Sequence, residues 1–543
     1  QIKTRRAGRG ISVTQLILAA TGFLLLTGNL TFFGQVLQVY PWNAANAGFL
    51  FSVAVVLACE ITLLTALVSV FIPTRMAVTV LLLVAAVTAY FSDSFGTIVD
   101  AAMILNIVHA TPAETLDLVN GKLKLRLLLA AIVPMALVWY LPLRPTTFLR
   151  RLGSKLALAL GAVVVAGASI MAFSSQYASF AREHDAFRFY TNPAYPLYSA
   201  VKYLKDSGVS RESAELVEVA PEAEIPASDP NRELTIMVVG ETARADRFSL
   251  NGYARATNPE LARDPRVFSY TRISACGTST SVSVPCLFAL GGRKNFDVEA
   301  ADRTENVLDV LQRAGVSILW RDNNTGSKGV ADRVSFEDFR TADVNPVCDE
   351  ECRDVGMLSG LQEYIDAQQK DVLIVLHQMG NHGPAYFHRY PAEFERFRPA
   401  CHSAEISECT DEEIGNAYDN AILYTDYFLS QVIALLKANT PKFQTAMLYI
   451  SDHGESLGEN GLYLHGMPYM LAPPEQIRVP VILWVGVTSD IDVHSVLVNE
   501  GLENSHDAVF QSLLTIFEVQ TDLAKVPPGL FEGREEAQPE QQK

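Results

Sequence analysis

The segment SACGTSTSVSVPC, Ser274 to Cys286, sets Thr278, Ser279, Thr280, Ser281 and Ser283 between two cysteines. A hydroxyl is a weak nucleophile at neutral pH, and coordination to a divalent metal lowers its pKa toward a usable range. A helix starting near Ser279 would add the positive end of its dipole to that effect. The plainer alternative is a Ser/Thr-rich loop that only caps its helix. Metal ligands elsewhere in the chain favour the chemical reading. LTIMVVGETAR places Glu241 just past an apolar run, and AMLYISDHGES places Asp452 and His453 past another. Adjacent Asp and His form a hard and borderline donor pair suited to a divalent metal, with zinc the best match. DVLIVLHQMGNHGP and ENGLYLHG add His382 and His465 in following loops, as ligands of a second metal or donors to phosphate oxygens. His377, His388, His402 and His506 lack such company and read as structural.

These residues need a scaffold that gathers them. LTIMVV, SILW, DVLIVLH, AMLYISD and VPVILWV are predicted strands, and stretches such as ENVLDVLQRAG between them are predicted helices. Such alternation predicts a mainly parallel sheet covered by helices. In open sheets of this kind reactive groups collect at the carboxyl ends of strands.

The N-terminal third has another character. No charged residue occurs from Ile11 to Cys59, a run long enough for two bilayer crossings if it turns at Tyr40-Pro41-Trp42-Asn43. Apolar runs follow at Ala45 to Ile72, interrupted by Glu60, and at Met76 to Tyr90, Leu127 to Leu143 and Leu156 to Phe173, making about five spans. Glu60, costly in lipid, is expected to face the protein interior. Lys3, Arg5, Arg6 and Arg9 precede the first span, and Arg144, Arg150, Arg151 and Lys155 lie between the fourth and fifth, so both segments are expected to be cytoplasmic. An odd number of spans then exports the C-terminal part, with Lys122, Lys124 and Arg126 the dissenting charges.

Cysteine usage agrees with export. Of seven cysteines, Cys59 stands alone, whereas Cys276/Cys286, Cys348/Cys352 and Cys401/Cys409 fall in close pairs that read as disulfides. A zinc knuckle at Cys348 and Cys352 lacks a second ligand pair at the required spacing. The expected organisation is a transmembrane domain over 1–175, interfacial helices and an acidic linker over 176–230, an exported catalytic domain over 231–525 and a disordered tail over 526–543. A net charge of −17 argues against nucleic acid as a partner.

Together, VVGETARADRFSLNGY, SACGTSTSVSVPC, WRDNNTGSKGV, HQMGNHGPAYFHRYP and SDHGESLGENGLYLHG resemble the motif series of the lipid A phosphoethanolamine transferases, a family that includes the mobile colistin-resistance enzymes. The resemblance implies a membrane domain of about five transmembrane helices and a periplasmic α/β/α domain of the alkaline phosphatase/sulfatase type. It implies a multi-pass protein of the bacterial inner membrane, acting as a monomer. The reaction implied moves phosphoethanolamine from phosphatidylethanolamine to a phosphate of lipid A, which lowers surface negative charge and polymyxin binding. Thr280 is then the nucleophile, with Glu241, Asp452 and His453 holding zinc beside it. His382 and His465 would contact the phosphoryl group or a second zinc, and Asn324 and Lys328 would line the substrate pocket. ILNIVHATPAET matches a loop in which Asn106 and Glu114 would lie near the ethanolamine end of the donor. Glu114 could equally cap a short helix opened by Thr111-Pro112, since Thr-x-x-Glu is a capping pattern.

Among relatives of that fold, a sulfatase needs Cys or Ser followed by x-Pro-x-Arg, and Ser283-Val284-Pro285-Cys286-Leu287 lacks the arginine. A phosphoglycerol transferase of the lipoteichoic-acid type shares the span count and a threonine nucleophile but not the paired cysteines. A non-catalytic membrane sensor would not need Thr280 with four convergent ligands. Transfer to another surface glycan stays open, because nothing in the motifs reports the acceptor.

Overall fold

The computed structural model describes residues 10–533, apart from 111–114, 116, 117, 210–215, 228, 230 and 525. The chain divides into two compact units, residues 1–104 with 119–205, and residues 105–118 with 206–543.

In the first unit, four helices are each long and apolar enough to cross a membrane: Ala47–Phe71, Thr74–Phe95, Gly121–Tyr140 and Phe148–Ala172. A pair bent by 62°, Val13–Gly28 and Leu30–Val39, supplies the fifth candidate span. Leu16, Leu24, Phe49, Leu57, Ile61, Val78 and Leu81 form the buried seam between these helices. Apolar side chains such as Leu26, Phe51 and Phe71 stay exposed, as lipid-facing residues do. The third to fifth spans are longer than their apolar runs suggest, because polar flanks belong to the helices. Lys122, Lys124 and Arg126 open the fourth, where Arg126 pairs with Asp93 at 2.9 Å and also donates to the Thr27 carbonyl. A pairing of that kind explains how a basic residue sits against the positive-charge pattern. The bend at Asn29 frees backbone groups that lipid cannot satisfy. Asn192 supplies the partners: its backbone N–H donates to Asn29 Oδ1 at 2.9 Å, and its side chain donates to the carbonyls of Gly28 at 3.0 Å and Ala85 at 3.1 Å. After Phe173 come helices Ser174–Glu183 and Ala194–Val209.

The second unit is built on a sheet of eight strands. In chain order the strands are β1 (Glu233–Gly240), β2 (Val267–Ser274), β3 (Ser317–Asp322), β4 (Ser335–Asp338), β5 (Val372–His377), β6 (Gln444–Ser451), β7 (Ser456–Leu457), β8 (Tyr463–Leu464), β9 (Arg478–Val485) and β10 (Asn504–Ser505). The sheet order is β10-β2-β9-β6-β1-β5-β3-β4, and β7 pairs with β8 in a separate ribbon. β1 runs parallel to both β5 and β6, while β9 is antiparallel to β2 and β6. Every residue of β1 and β5 is buried, which is why those sequences are near-continuous apolar runs without alternation. The five predicted strands are all present. β2, with polar Ser269, Thr271 and Arg272 among its apolar residues, and the short β4 and β10 went unread.

Helix Asp411–Asn439 is also long and apolar enough to span a bilayer, yet it packs on β6 and β1 and begins with three acidic residues. Its apolar length serves the core of this unit. Two expectations need correction. The stretch read as an acidic linker is built into the unit from residue 216, because Val219, Ala220 and Ala223 alternate with its acids and join the core. The tail read as disordered from 526 is packed as far as 533: Leu530 and Phe531 are buried, and Tyr270 Oη donates to the Leu530 carbonyl at 3.1 Å. Residues 534–543 lie outside the described residues.

Candidate active site

β1 and β6 are parallel neighbours, so the residues leaving their carboxyl ends emerge side by side. Glu241 follows β1, and Asp452 and His453 follow β6, all three with no exposed surface. One donor atom from each lies within 4.8 Å of the others. His453 Nε2 is 3.4 Å from Glu241 Oε1 and 3.3 Å from Asp452 Oδ2. His453 Nδ1 contacts the Gly454 carbonyl at 3.0 Å, so it is the protonated nitrogen and Nε2 presents its lone pair to the carboxylates. Asp452 Oδ1 accepts from the backbone of Thr242 and His453, whereas Oδ2 is buried with no hydrogen-bond partner among the described residues. Burial, then the neighbouring Asp452, pushes the Glu241 carboxyl up to about 8, and burial pushes Asp452 up to about 7. Burial holds His453 well below its ordinary range. Two buried carboxylates and a neutral imidazole facing one point make a donor set that a divalent cation satisfies.

The backbone at this point is strained and firmly held. Thr242, directly after Glu241, has φ 52°. A non-glycine residue in that region costs of order 1–3 kcal/mol and persists only where neighbours enforce it. Here Thr242 N–H donates to Asp452 Oδ1 at 3.1 Å, and Tyr418 Oη on helix Asp411–Asn439 donates to its carbonyl at 2.6 Å. From the other side, Asn381 N–H donates to the Glu241 carbonyl at 3.0 Å. Gly380, with φ 52°, packs so close that a Cβ there would fall 2.9 Å from the Glu241 carbonyl oxygen.

The hydroxyl segment delivers Thr280 to this cluster. Helix Thr280–Phe288 begins at Thr280, with Ser279 at its cap in an extended conformation, and the Cys276–Cys286 disulfide ties the preceding loop to the helix. Thr280 Oγ1 lies 3.2 Å from Glu241 Oε2 and 3.4 Å from His453 Nε2. The other hydroxyls face elsewhere. Thr278 donates to the Met467 carbonyl, Ser283 to the Asp452 carbonyl, and Ser281 to Asn106 Oδ1, which places Asn106 beside the residue next to Thr280.

His382 and His465 converge on the same place. The His465 ring centre is 4.3 Å from that of His453 and 5.7 Å from that of His382. His465 Nδ1 contacts Glu455 Oε2 at 2.8 Å, and Tyr386 Oη donates to Glu455 Oε1 at 2.6 Å. Burial alone would depress His465, but Glu455 outweighs it and raises the imidazole to about 9. Burial and the neighbouring His465 keep His382 well below the usual histidine range. Glu455, two residues past the metal-type pair, was not singled out from sequence, although Asp452-His453-Gly454-Glu455 is short enough to have suggested it. Asn324 sits at Glu241 itself, donating to Oε2 at 2.8 Å. Lys328 donates to the Thr325 carbonyl at 2.9 Å, within its own loop. Glu114 lies outside the described residues. Cys348–Cys352 and Cys401–Cys409 are also bridged, and Cys59 is free. His377, His388 and His402 each contact a carboxylate, of Asp322, Glu350 and Glu395, and His506 Nε2 meets the Ser451 carbonyl.

Residues 57–207 match the family described as phosphoethanolamine transferase EptA/EptB, and residues 233–518 match the sulfatase family. The chain is 42% identical over 533 residues to the phosphatidylethanolamine transferase Mcr-1 of Escherichia coli, covering 95% of this chain and 97% of that protein. The chain belongs to the phosphoethanolamine transferases. Phosphoethanolamine transferase EptA of Salmonella typhimurium strain LT2 is 36% identical, over 93% of this chain and 94% of its own. The solved structure of the integral membrane lipooligosaccharide phosphoethanolamine transferase A of Neisseria meningitidis superposes with a TM-score of 0.89 at 30% identity, covering 93% of this chain and 95% of that one. The transferase thus combines a helical membrane part with a sulfatase-type α/β domain, and its buried acid–histidine cluster lies at the carboxyl ends of the central strands.

Proposed function

We propose that this transferase moves phosphoethanolamine from phosphatidylethanolamine to a phosphate of lipid A, from the inner membrane and with its α/β domain in the periplasm. Product formation would lower the negative charge of the outer surface and weaken polymyxin binding. The observation behind this reading is the Thr280 hydroxyl, 3.2 Å from Glu241 and 3.4 Å from His453 at the mouth of a cluster with metal-ligand composition. Zinc fits that donor set, with Glu241, Asp452 and His453 as its holders, and when bound it would supply Lewis-acid stabilisation of the transferring phosphoryl group.

In the first step Thr280 Oγ1 gives its proton to Glu241 Oε2, 3.2 Å away, and bonds to the donor phosphorus as the bond to the diacylglycerol oxygen breaks. His465, charged through its contact with Glu455, is the group able to protonate that departing oxygen. A singly protonated acceptor phosphate then returns a proton to His465 and attacks the phosphorus of the phosphoethanolamine-threonine adduct; the bond from Thr280 to phosphorus breaks and Thr280 takes its proton back from Glu241. His382, Lys328 and Asn106, the last on helix Ala101–His109, are the polar side chains we assign to substrate contact, with Glu114, eight positions after Asn106 in the sequence, as a further candidate. Incubation with phosphatidylethanolamine should leave the intact mass of the wild type increased by one phosphoethanolamine and that of Thr280→Ala unchanged. An adduct mapped to Ser279 or Ser281 would move the nucleophile. Mass spectrometry of lipid A from cells with and without the protein tests the acceptor.

A further inference from the structure

We infer that Asp322 is a positioning residue for Glu241, acting through Asn324, and that Asn324 serves the metal ligand and not the substrate pocket. The inference rests on the metal reading of the site. Asp322 ends β3, next to β5 in the sheet, and is wholly buried. Its carboxylate accepts four donors. Oδ2 takes Trp320 Nε1–H at 3.0 Å and meets His377 Nδ1 at 2.9 Å; Oδ1 takes the backbone N–H of Asn324 at 3.0 Å and of Gly326 at 2.9 Å. An ionised carboxylate has about four lone-pair sites, so this one is saturated. Burial opposes its ionisation, but His377 and the other donors overcome that and hold it at about 2.

The two backbone contacts fold the loop after β3 into one conformation and fix the direction of Asn324. Asn324 spends both amide hydrogens inside the protein, on Glu241 Oε2 at 2.8 Å and on the Gln378 carbonyl at 2.7 Å. It is 1% exposed, which leaves it no donor and little surface for a lipid headgroup. The second contact lashes Asn324 to the strand end of β5, so the Glu241 carboxylate is braced against two strands at once. A carboxylate destined to hold a metal gains affinity when its orientation is fixed before the ion arrives, and loss of such an outer contact typically costs 10–100-fold in affinity.

The test uses the full-length protein in detergent, stripped with a chelator and titrated with zinc against a chromophoric competitor. Wild type should bind, Glu241→Ala should not, and Asn324→Leu and Asp322→Asn should each raise the zinc Kd about 10–100-fold while the three disulfides stay protected from alkylation. Asp322→Glu, which keeps the charge, should recover part of the loss. If wild type takes up no zinc, the metal reading fails, and this inference with it. If wild type binds but Asn324→Leu matches it, the inference alone is overturned. An increased KM for phosphatidylethanolamine with unchanged zinc affinity in Asn324→Leu would return Asn324 to the substrate pocket. Should Asp322→Asn fail to fold, Asn324→Leu and Asp322→Glu still decide.

Discussion

The two units of this transferase place their buried polar groups differently. In the membrane part several polar side chains pair with one another: Thr21 meets Thr62 at 3.0 Å, Asn29 meets Asn192, and Arg126 meets Asp93, while Thr97 Oγ1 and Arg126 Nε have no partner among the described residues. In the α/β domain Glu241 and Asp452 are driven together without exposed surface, and one oxygen of Asp452 has no protein partner among the described residues. Lipid offers no water to an unsatisfied group, so a membrane helix bundle must complete its hydrogen bonds internally. A domain that binds a cation can leave a deficit for the ion to fill, provided the rest of the structure is stiff enough to hold it.

The largest test of that contrast is the pH dependence of zinc binding. Glu241 and Asp452 are raised to about 8 and about 7 in the metal-free protein, so both must lose protons before they can ligate. Affinity should therefore be full above pH 8 and fall on acidification through those values, by about tenfold per pH unit for each proton displaced. Calorimetry in buffers of different ionisation enthalpy should register proton release on binding near pH 7. A pH-independent affinity between pH 6 and 8 would mean that the carboxylates are already ionised and that the deficit is not there.

In the membrane part the expected changes are smaller, because each contact joins neutral groups or a partly exposed ion pair. Asn192→Leu removes the partners of Asn29 and of the Gly28 and Ala85 carbonyls, and should destabilise the helical unit by about 1–3 kcal/mol. Denaturation monitored by a label on that unit checks it, and an unchanged midpoint would show that lipid or water can replace the lost bonds. Arg126→Met, at a partly exposed pair, should cost about 1 kcal/mol or less and leave zinc affinity as it was. A larger loss would mark the Arg126–Asp93 contact as fully desolvated in the membrane.

Much of the site was legible because parallel strands translate sequence into position. An apolar run followed by Gly-Glu or Asp-His puts those side chains at the strand's carboxyl end, and adjacency of β1 and β6 brings them together. What sequence could not supply was the second layer. Asn324, which the resemblance put in the substrate pocket, is seen to contact Glu241 only when β3 is placed beside β5, and Glu455 becomes meaningful only when the chain returns through β8 to lay His465 against it. The fold was misread where composition and packing disagree. Residues 216–227 look acidic because their exposed positions are, while Val219, Ala220 and Ala223 enter the core. Pro527, Pro528 and Gly529 look like a tail, yet they turn Leu530 and Phe531 inward. Polar flanks hid true helix lengths in the membrane part, as with Lys122 and Lys124.

Gly380 bears on how freely this candidate centre can be recombined. Its Cα rests against the backbone of Glu241, and a side chain there would meet the Glu241 carbonyl oxygen at 2.9 Å and its nitrogen at 3.0 Å. The loop after β5 and the metal-type carboxylate after β1 are therefore a matched pair of surfaces and not interchangeable parts. A chimera that imports the loop from another protein inherits a working centre only when it imports a glycine at this position. Library designs that diversify residues 378–384 to change substrate preference should hold residue 380 constant and let His382 and its flanks vary.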